Sequence, residues 1–434
     1  MKRYIDALPR KTRDLIYLAR NIAQDKKISV YLVGGIVRDL LLGVTNLDLD
    51  FVVEGGGIAF AEVFASRTKA KIVRHERFGT ATLFLPDGRK LDVATARKET
   101  YPHPAALPVV EPGKIADDLF RRDFTINAMA IDITSRNFGE LLDFFGGVAD
   151  LQNKRIVILH EGSFIDDPTR ILRAIRFEQR YRFSLGTATL HCLKEASRKK
   201  MLEKVHPHRI RDELILLFKE KDPYKNIMCL KKLYGFNFVS PHVKVGAKDA
   251  GLYARVRKEV DWYLKNNPRE TIEPWFAFFL LFADALSQQD IKALSRRFAF
   301  SKKEENKICA YKSFSKGHMR TLCLAGLRQS QVFAQLNGLN SEALLLLRAK
   351  CRKINFRQRI KNFITCLSKV AVALSGDDLR SLGLPAGPYY HTLLTQLHDA
   401  KLDGLVPTKK DELALAKALI TKRRLSDVKT RESR

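Results

Sequence analysis

Cysteine is scarce in this sequence of 434 residues, and the few cysteines present are not grouped. The six cysteines form no C-x-x-C pair, and the first 191 residues contain none. Disulfide frameworks and structural zinc sites need paired or clustered cysteines, so the sequence favours neither. His206 and His208 stand close together without a nearby cysteine, and we interpret them as structural. We expect reduced thiols in a cytoplasmic protein.

Long apolar runs are also missing. The richest apolar stretch, Trp275–Ala283, is too short to cross a bilayer, and Asp284 follows it directly. The first residues, MKRYIDALPRK, contain no apolar segment, so we expect no signal peptide. Neither an internal repeat nor a low-complexity tract is visible. The length of 434 residues is enough for two to four globular domains.

Negative charge is the third deficit, because 77 Lys+Arg face 48 Asp+Glu and leave a net charge of +29. Residues 1–150 carry 22 basic and 20 acidic side chains, a net charge of +2, whereas residues 151–434 carry 55 and 28, a net charge of +27. This asymmetry favours a nearly neutral catalytic part followed by a part that binds a polyanion such as nucleic acid. A highly charged solubility surface would mix the two signs more evenly.

The densest basic run lies between residues 348 and 361. Two interpretations stay open for it: a track for phosphates, or the solvated face of a helix. The run comprises Arg348, Lys350, Arg352, Lys353, Arg357, Arg359 and Lys361.

The residues with the clearest chemistry begin at Tyr31–Gly55, YLVGGIVRDLLLGVTNLDLDFVVEG. The pattern predicts a strand, a glycine turn, a short helix and a second strand over residues 47–53. Backbone N–H groups at Gly34 and Gly35, which open the helix, can approach a phosphate closely. Arg38 lies one turn inside that helix, where its guanidinium could bind the same anion.

Two aspartates stand out on the second strand. Asp48 and Asp50 are two residues apart, so both project from the same face of the strand. Like charges at that separation repel each other unless a cation lies between them. Because Mg²⁺ prefers carboxylate and phosphate oxygens, the sequence predicts a magnesium site that acts on a phosphate-bearing substrate. Asp92, on a predicted strand over residues 90–96, could supply a third carboxylate or simply be solvated.

A polar ridge follows the helix that Asp167 and Pro168 are expected to open. Arg170, Arg173 and Arg176 recur at every third residue after Asp167. An aspartate accepts hydrogen bonds and an arginine donates them, so together they complement a base edge with an amino group beside a ring nitrogen. Cytosine and adenine present that edge, whereas guanine and uracil present the reverse. We therefore expect Asp167 and Arg170 to select the base, although Asp167 alone could be a simple helix cap.

The segment Lys98–Gly113, KETYPHPAALPVVEPG, contains four prolines. Its composition predicts a long, semi-rigid loop with neither helix nor regular strand. Long loops within a compact domain tend to be functional.

Taken in order, these motifs resemble a known family. GGIVRDLLLG followed by DLD is similar to the signature of the nucleotidyltransferase superfamily, in the branch of class II tRNA nucleotidyltransferases and bacterial poly(A) polymerases. RRDFTINAMA (residues 121–130), DDPTRILRAIRF (166–177) and LGLPAGPYY (382–390) resemble later motifs of the same branch. The resemblance spans most of the chain from Tyr31. Asp166 departs from it, because many members have Glu there.

The resemblance implies an α+β fold, with an N-terminal nucleotidyltransferase head that combines a small mixed β-sheet with flanking helices. An all-α, elongated neck, body and tail are expected to follow. The implied boundaries are 1–150 for the catalytic head, 151–235 for the neck with the base-selecting motif, 236–335 for the body and 336–434 for an RNA-binding tail.

The resemblance also implies a mechanism. Asp48 and Asp50 would hold two Mg²⁺ ions that promote attack of an RNA 3′-hydroxyl on the α-phosphate of the incoming nucleotide, releasing pyrophosphate. Arg122 and Asp123 would contact the triphosphate and ribose, and Arg173 and Arg176 would support the base-selecting pair or the phosphates. The full set expected to bind the nucleotide is Gly34, Gly35, Arg38, Arg122, Asp123, Asp167, Arg170, Arg173 and Arg176.

We therefore expect a template-independent enzyme that adds CCA, or its terminal A, to tRNA 3′ ends from ATP and CTP, without a membrane or an obligate protein partner. A poly(A) polymerase of the same branch is the alternative, and a non-catalytic RNA-binding protein is a third hypothesis that the intact D-x-D disfavours. Members that add A carry a flexible loop where this chain has Lys98–Gly113, and members restricted to CC have it shortened. The loop thus predicts ATP addition to tRNA that ends in CC.

Overall fold

The computed structural model describes residues 1–44, 48–134, 137–384 and 387–432. Residue 47 of the predicted second strand and residues 385–386 of the LGLPAGPYY motif therefore lie outside the described residues. The chain forms two compact units, Met1–Pro241 and His242–Arg434. The finer division into head, neck, body and tail stays a prediction.

The first unit contains all the strands that the structure describes. Its elements are, in order, α1 (Lys2–Asp6), α2 (Arg10–Lys26), β1 (Val30–Val33), α3 (Gly35–Leu41), β2 (Leu49–Val53), α4 (Gly57–Thr68), β3 (Lys71–His75), β4 (Thr80–Phe84), β5 (Lys90–Thr95), β6 (Arg97–Thr100), β7 (Val109–Pro112), α5 (Ile115–Phe120), β8 (Ala130–Asp132), β9 (Glu140–Leu142), α6 (Gly147–Gln152), β10 (Arg155–Ile156), α7 (Ser163–Asp166), α8 (Thr169–Tyr181), β11 (Ser184–Leu185), α9 (Thr187–Arg198), α10 (Pro207–Lys219) and α11 (Pro223–Leu233).

A seven-stranded mixed sheet forms the centre of this unit, in the order β3-β4-β5-β2-β1-β8-β9. Only β2 and β5 are parallel, and every other neighbouring pair is antiparallel. The predicted mixed sheet with flanking helices is confirmed.

The two faces of β2 are chemically different because its residues alternate. Leu49, Phe51 and Val53 are buried in the larger hydrophobic core with side chains of α2 and α4. Val52 lies on the other face, in a smaller core that includes Leu119 of α5. Asp50 lies on the same face as Val52. This face of β2 therefore carries the polar side chain, whereas the other face packs in the larger core and stabilises the sheet.

The proline-rich segment is more ordered than we expected. β6 and β7 form an antiparallel ribbon that pairs Thr100 with Val109 and Arg97 with Pro112, so the prediction that Lys98–Gly113 contains no regular strand is wrong. A proline is tolerated here because both strands of a two-stranded ribbon are edge strands. Near the ribbon's tip, Ala105 N donates to the Ile165 carbonyl oxygen at 3.0 Å.

In the second unit the described residues form helices. These are α12 (Ala250–Asn266), α13 (Pro274–Phe282), α14 (Gln288–Arg297), α15 (Lys302–Ser313), α16 (Lys316–Thr321), α17 (Gln329–Leu336), α18 (Ser341–Lys350), α19 (Ile354–Thr365), α20 (Gly376–Ser381), α21 (Tyr389–Leu402) and α22 (Lys409–Glu432). The apolar run noted in the sequence is α13, and all its residues from Trp275 to Phe282 are buried. α18 packs against both α12 and α13. Helices hydrophobic on all sides are typical of a domain interior.

A separate hydrophobic cluster lies near the carboxyl end and includes Leu379, Leu393, Leu397 and Ala416. Across the described part of the chain, no helix is long and apolar enough to span a bilayer. The predicted helical second part of the α+β fold is confirmed for the residues that the structure describes.

Candidate active site

A row of polar side chains crosses the sheet on the face that carries Asp50. Asp50 of β2 is the register partner of Asp92 of β5, and Asp92 is the partner of Thr82 of β4. Asp48 stands just before β2. Asp50, Asp92 and Thr82 border a cavity of about 270 Å³, whose lining also includes Arg122.

The electrostatics of Asp50 indicate uncompensated negative charge. Burial, together with the charges of Asp92 and Asp48, raises the pKa of Asp50 to about 6, although the Arg122 guanidinium opposes the rise. A cation beside the carboxylate would relieve this repulsion.

Asp92 already has partners within the sheet. Its Oδ1 accepts from Thr82 Oγ1 at 2.6 Å, and its Oδ2 accepts from Lys90 Nζ at 2.7 Å. In the part of the chain that the structure describes, no group of three or more His, Cys, Asp or Glu side chains is arranged to hold a metal ion. At such a site Asp48 and Asp50 would hold the ion, and further oxygens would come from a substrate. That donor set fits Mg²⁺, which is often bound by one or two carboxylates together with substrate phosphates.

The glycine turn before α3 has a steric role. Gly34 has a φ of +70°, and a Cβ at this position would lie 2.5 Å from Arg122 Nη1. Gly34 N donates to the Met129 carbonyl oxygen at 3.1 Å, so this amide is engaged within the fold. Gly35 begins α3, where the first amides of a helix have no intrahelical partner.

Arg38 is buried away from the cavity. Its Nη1 donates to Asn127 Oδ1, and its Nε donates to Asp39 Oδ1 at 2.8 Å. The guanidinium lies 4.9 Å from the centre of the Tyr181 ring, on α8. In this structure Arg38 therefore joins α3 to α8, and it does not line the cavity as a triphosphate ligand would.

The three charged residues of the RRD motif, Arg121, Arg122 and Asp123, have different surroundings. Arg121 and Arg122 both donate to the fully buried Asp118, at 2.6 Å and 2.9 Å. Arg122 also lines the cavity, as Asp50 does. Asp123 is buried, and its Oδ2 accepts from Arg173 Nε at 2.8 Å. Asp123 thus binds the helix α8 instead of facing the cavity.

The pKa of Asp123 shows the strength of that contact. Burial alone would raise the pKa, but Arg173, together with a hydrogen bond from Asn127, lowers it below the usual value for aspartate. Asp123 Oδ1 also accepts from the Phe124 amide at 2.9 Å. The carboxylate is therefore held in its ionised form.

Asp167 and Arg170, the expected base-selecting residues, both have protein partners. Asp167 Oδ1 accepts from the amide and the hydroxyl of Thr169, and Asp167 Oδ2 lies 2.7 Å from Arg209 Nη2. Arg170 is buried, and it donates to Ser163 Oγ at 2.8 Å and to the Arg121 carbonyl oxygen at 2.7 Å. Helix α8 begins at Thr169 with Pro168 as N-cap, one residue later than predicted.

Arg173 and Arg176, the other two members of the ridge, share one carboxylate. Their distances to Glu213 of α10 are 3.2 Å and 3.3 Å. Arg176 is buried, and its Nε has no hydrogen-bond partner among the described residues.

The sequence analysis missed Arg209 and Glu213, which lie four residues apart on α10. This spacing places both on one helix face. The same spacing is common on solvated helices, so the sequence alone could not identify them as partners of the ridge. His206 and His208, near the start of the same helix, stack their rings 5.1 Å apart.

The family model described as "Poly A polymerase head domain" matches residues 30–157. The A-adding tRNA nucleotidyltransferase of Geobacter sulfurreducens is 36% identical over 414 residues, covering 94% of this chain and 47% of that protein. The A-adding tRNA nucleotidyltransferase of Halalkalibacterium halodurans is 32% identical over 411 residues, covering 94% of this chain and 93% of that protein. This chain belongs to the tRNA nucleotidyltransferase family.

The likeness extends to three dimensions. The CCA-adding enzyme of Thermotoga maritima, in complex with tRNA, superposes with a TM-score of 0.71 at 30% identity, covering 96% of this chain and 98% of that one. By length the chain spans about half of the Geobacter relative. The shared fold therefore extends across both units of this chain.

Proposed function

We propose that this chain is a template-independent tRNA nucleotidyltransferase that adds the terminal A, or the whole CCA sequence, to tRNA 3′ ends. The observation that carries the proposal is the cavity beside Asp50, where uncompensated carboxylate charge faces the guanidinium of Arg122. Such a site suits a nucleoside triphosphate with its divalent metal. The family membership directs this chemistry to the 3′ end of tRNA.

Asp48 and Asp50 would hold Mg²⁺, which when bound lowers the pKa of the attacking 3′-hydroxyl and neutralises charge on the leaving pyrophosphate. Arg122 would bind the triphosphate, because it is the arginine that lines the cavity. Asp118 fixes the Arg122 guanidinium with hydrogen bonds of 2.9 Å and 3.3 Å. This support keeps the cation in place while the substrate enters.

Asp167 and Arg170 keep enough hydrogen-bonding capacity to select the base. A carboxylate has about four acceptor positions, and the Asp167 carboxylate uses three of them on Thr169 and Arg209. A guanidinium has about five N–H donors, and that of Arg170 uses two. One acceptor and several donors therefore remain for the amino group and ring nitrogen of adenine or cytosine.

Adenine addition has two supports. The relatives from Geobacter and Halalkalibacterium are named A-adding enzymes. The β6–β7 ribbon also contacts Ile165, two residues before Asp167. The ribbon is thus in a position to sense or adjust the base-selecting segment between additions.

Incubation of the full chain with Mg²⁺, each single nucleoside triphosphate and tRNA ending at the discriminator base, at C or at CC tests the proposal. We expect ATP to be incorporated once on tRNA ending in CC. CTP incorporation on the shorter tRNAs would show full CCA synthesis. Addition of CC followed by arrest would contradict the proposal, and long A tails on unstructured RNA would indicate a poly(A) polymerase.

We also propose that the basic second unit supplies RNA affinity and that the enzyme acts in the cytoplasm, where tRNA is matured and used. The second unit carries 36 basic and 18 acidic side chains. A steep loss of tRNA affinity with rising salt would support the RNA-binding role. Salt-independent binding would contradict it.

A further inference from the structure

An aromatic cluster lies on the first unit outside the cavity. The ring of Phe120, at the end of α5, lies 5.9 Å from Phe145 and 5.3 Å from His160, tilted by 32° from the latter. Phe144 meets Phe145 edge to face at 6.3 Å. Burial lowers the pKa of His160, which favours the neutral form of its ring. We call Phe120, Phe144, Phe145 and His160 the aromatic platform.

Two rings of the platform are exposed. Phe120 is 48% exposed and Phe144 is 53% exposed, although phenylalanine is among the residues most often buried. Phe145 anchors the platform because it packs on the smaller core together with Leu159. Exposed and anchored aromatic rings are typical of surfaces that bind another molecule.

The register of the sheet places the platform at the same edge as the catalytic carboxylates. Leu142 of β9 pairs with Ala130 of β8, and Ala130 pairs with Val33 of β1. The register continues from the Leu32–Phe51 pair, so Val33 lies beside Asp50 at the start of β2. The neighbouring strands β2, β1, β8 and β9 alternate in direction. The end of β9, where the chain continues to Phe144, therefore lies at the same edge of the sheet as the start of β2.

Separation and connectivity also link the two sites. β9 is three strands from β2, which corresponds to roughly 14 Å at the usual strand spacing. Phe120 is followed directly by Arg121 and Arg122, and Arg122 lines the cavity. A single strand of RNA that enters the cavity from this side would therefore pass the platform within a few nucleotides of its terminal hydroxyl.

We propose that Phe120, Phe144 and His160 stack the unpaired bases at the 3′ end of the RNA and so position its terminal hydroxyl. Stacking on aromatic rings is independent of base identity, because every base has a π-face. This suits an end whose sequence changes as nucleotides are added. The proposal rests on the proposed function, since it names a site for that enzyme's RNA substrate.

Two double variants and one single control separate stacking from simple apolar contact. Phe120→Leu with Phe144→Leu keeps apolar volume but removes the rings, whereas Phe120→Tyr with Phe144→Tyr keeps them. Phe78→Leu is the matched control, because Phe78 is 40% exposed but lies beside Gly79, at the opposite edge of the sheet near Thr95. Each variant is measured for the KM of tRNA ending in CC and, separately, for the KM of ATP.

We expect the leucine pair to raise the KM for tRNA about tenfold or more, with the KM for ATP nearly unchanged. The tyrosine pair and the Phe78 control should behave like the native chain. An unchanged KM for tRNA in the leucine pair overturns the proposal, as does an equal rise in both KM values.

A second readout needs no turnover. A tRNA with 2-aminopurine as its penultimate nucleotide should lose fluorescence on binding the native chain, because stacking quenches this base, and should stay bright with the leucine pair. Equal quenching by both overturns the platform. If the native chain adds no nucleotide but still quenches 2-aminopurine, and the leucine pair does not, the proposed function is wrong and the stacking role of the platform is supported. If ring removal instead abolishes self-association and leaves quenching unchanged, the surface joins copies of this chain and the proposal is wrong.

Discussion

The two units use positive charge in opposite ways. In the first unit 41 basic side chains face 30 acidic ones, and the arginines around the cavity are held by carboxylates or by backbone carbonyl groups. Asp118, for example, binds both Arg121 and Arg122. In the second unit 36 basic side chains face only 18 acidic ones. Charge in the first unit organises a site, whereas the excess in the second is available to a polyanion.

The basic run at residues 348–361 shows both uses side by side. Arg348 and Arg357 both bind Glu259. The side chains of Arg352, Lys353 and Lys361 are exposed, and no ion pair joins them to the described part of the chain. The basic residues of this run therefore have two roles, because some of them form ion pairs within the fold and others face solvent.

We expect the largest effect on turnover from neutralising Asp48 or Asp50. Asp48→Asn or Asp50→Asn should lower turnover at least ~100-fold, because metal binding at the reacting phosphate is lost. tRNA affinity should change little if the second unit supplies it. Single-turnover assays and filter binding measure the two quantities. Asp14→Asn, in an exposed pair with Arg10, is the control, and turnover above ~1% in either site variant would contradict the metal assignment.

Removing the partner of a paired arginine should mainly affect stability. Asp123→Asn leaves Arg173 without its buried carboxylate, and breaking such a pair costs about 3 kcal/mol of unfolding free energy. Urea unfolding of the full chain measures this loss. The exposed pair of Asp25 and Arg67 offers a control, since Asp25→Asn should cost less than about 1 kcal/mol.

The same pair predicts a dependence on pH. The pKa of Asp123 is lowered in the folded protein, so its contribution is complete above the unfolded pKa of about 4 and is lost as pH falls through the folded value. The native chain should therefore lose stability more steeply below pH 4 than Asp123→Asn does. Parallel acid unfolding curves for the two proteins would contradict this.

Short-range patterns predicted some of these elements. Strand alternation predicted that Asp50 lies on one face of β2, and helical periodicity predicted α8 with its arginines. The partners of those side chains could not be predicted, since Arg173 binds a residue 50 positions away and Arg38 one 89 positions away. Such contacts depend on how elements pack, which a local pattern does not specify.

The β6–β7 ribbon shows a second limit. Prolines argue against strands because they lack the N–H that a sheet needs. That rule applies to central strands, and the sequence does not reveal that this ribbon has only two strands. Proline content therefore does not exclude a strand whose position in a sheet is unknown.

Replacing an arginine that holds a site carboxylate should affect nucleotide binding. Arg209→Ala removes one of the groups that fix Asp167, so we expect the KM for ATP to rise about five- to tenfold, with a smaller change in kcat. Arg209→Lys should restore part of the loss. Arg198→Ala is the control, because Arg198 forms an exposed ion pair with Glu195 on α9. An unchanged KM for ATP would show that Thr169 alone suffices to hold Asp167.

The smallest expected effect concerns the salt dependence of tRNA binding, which should differ between exposed and ion-paired cations of the second unit. A cation that contacts an RNA phosphate releases counterions, so its removal lowers the slope of log Kd against log salt by roughly 0.7 to 0.9. We expect Arg352→Gln, Lys353→Gln and Lys361→Gln each to lower the slope for tRNA by up to that amount. Lys350→Gln should leave it unchanged, because Lys350 Nζ lies 2.8 Å from Asp284 and is already neutralised. Equal slopes for all four variants would mean that the exposed side chains form a solvated face, and that RNA binds the second unit through other cations.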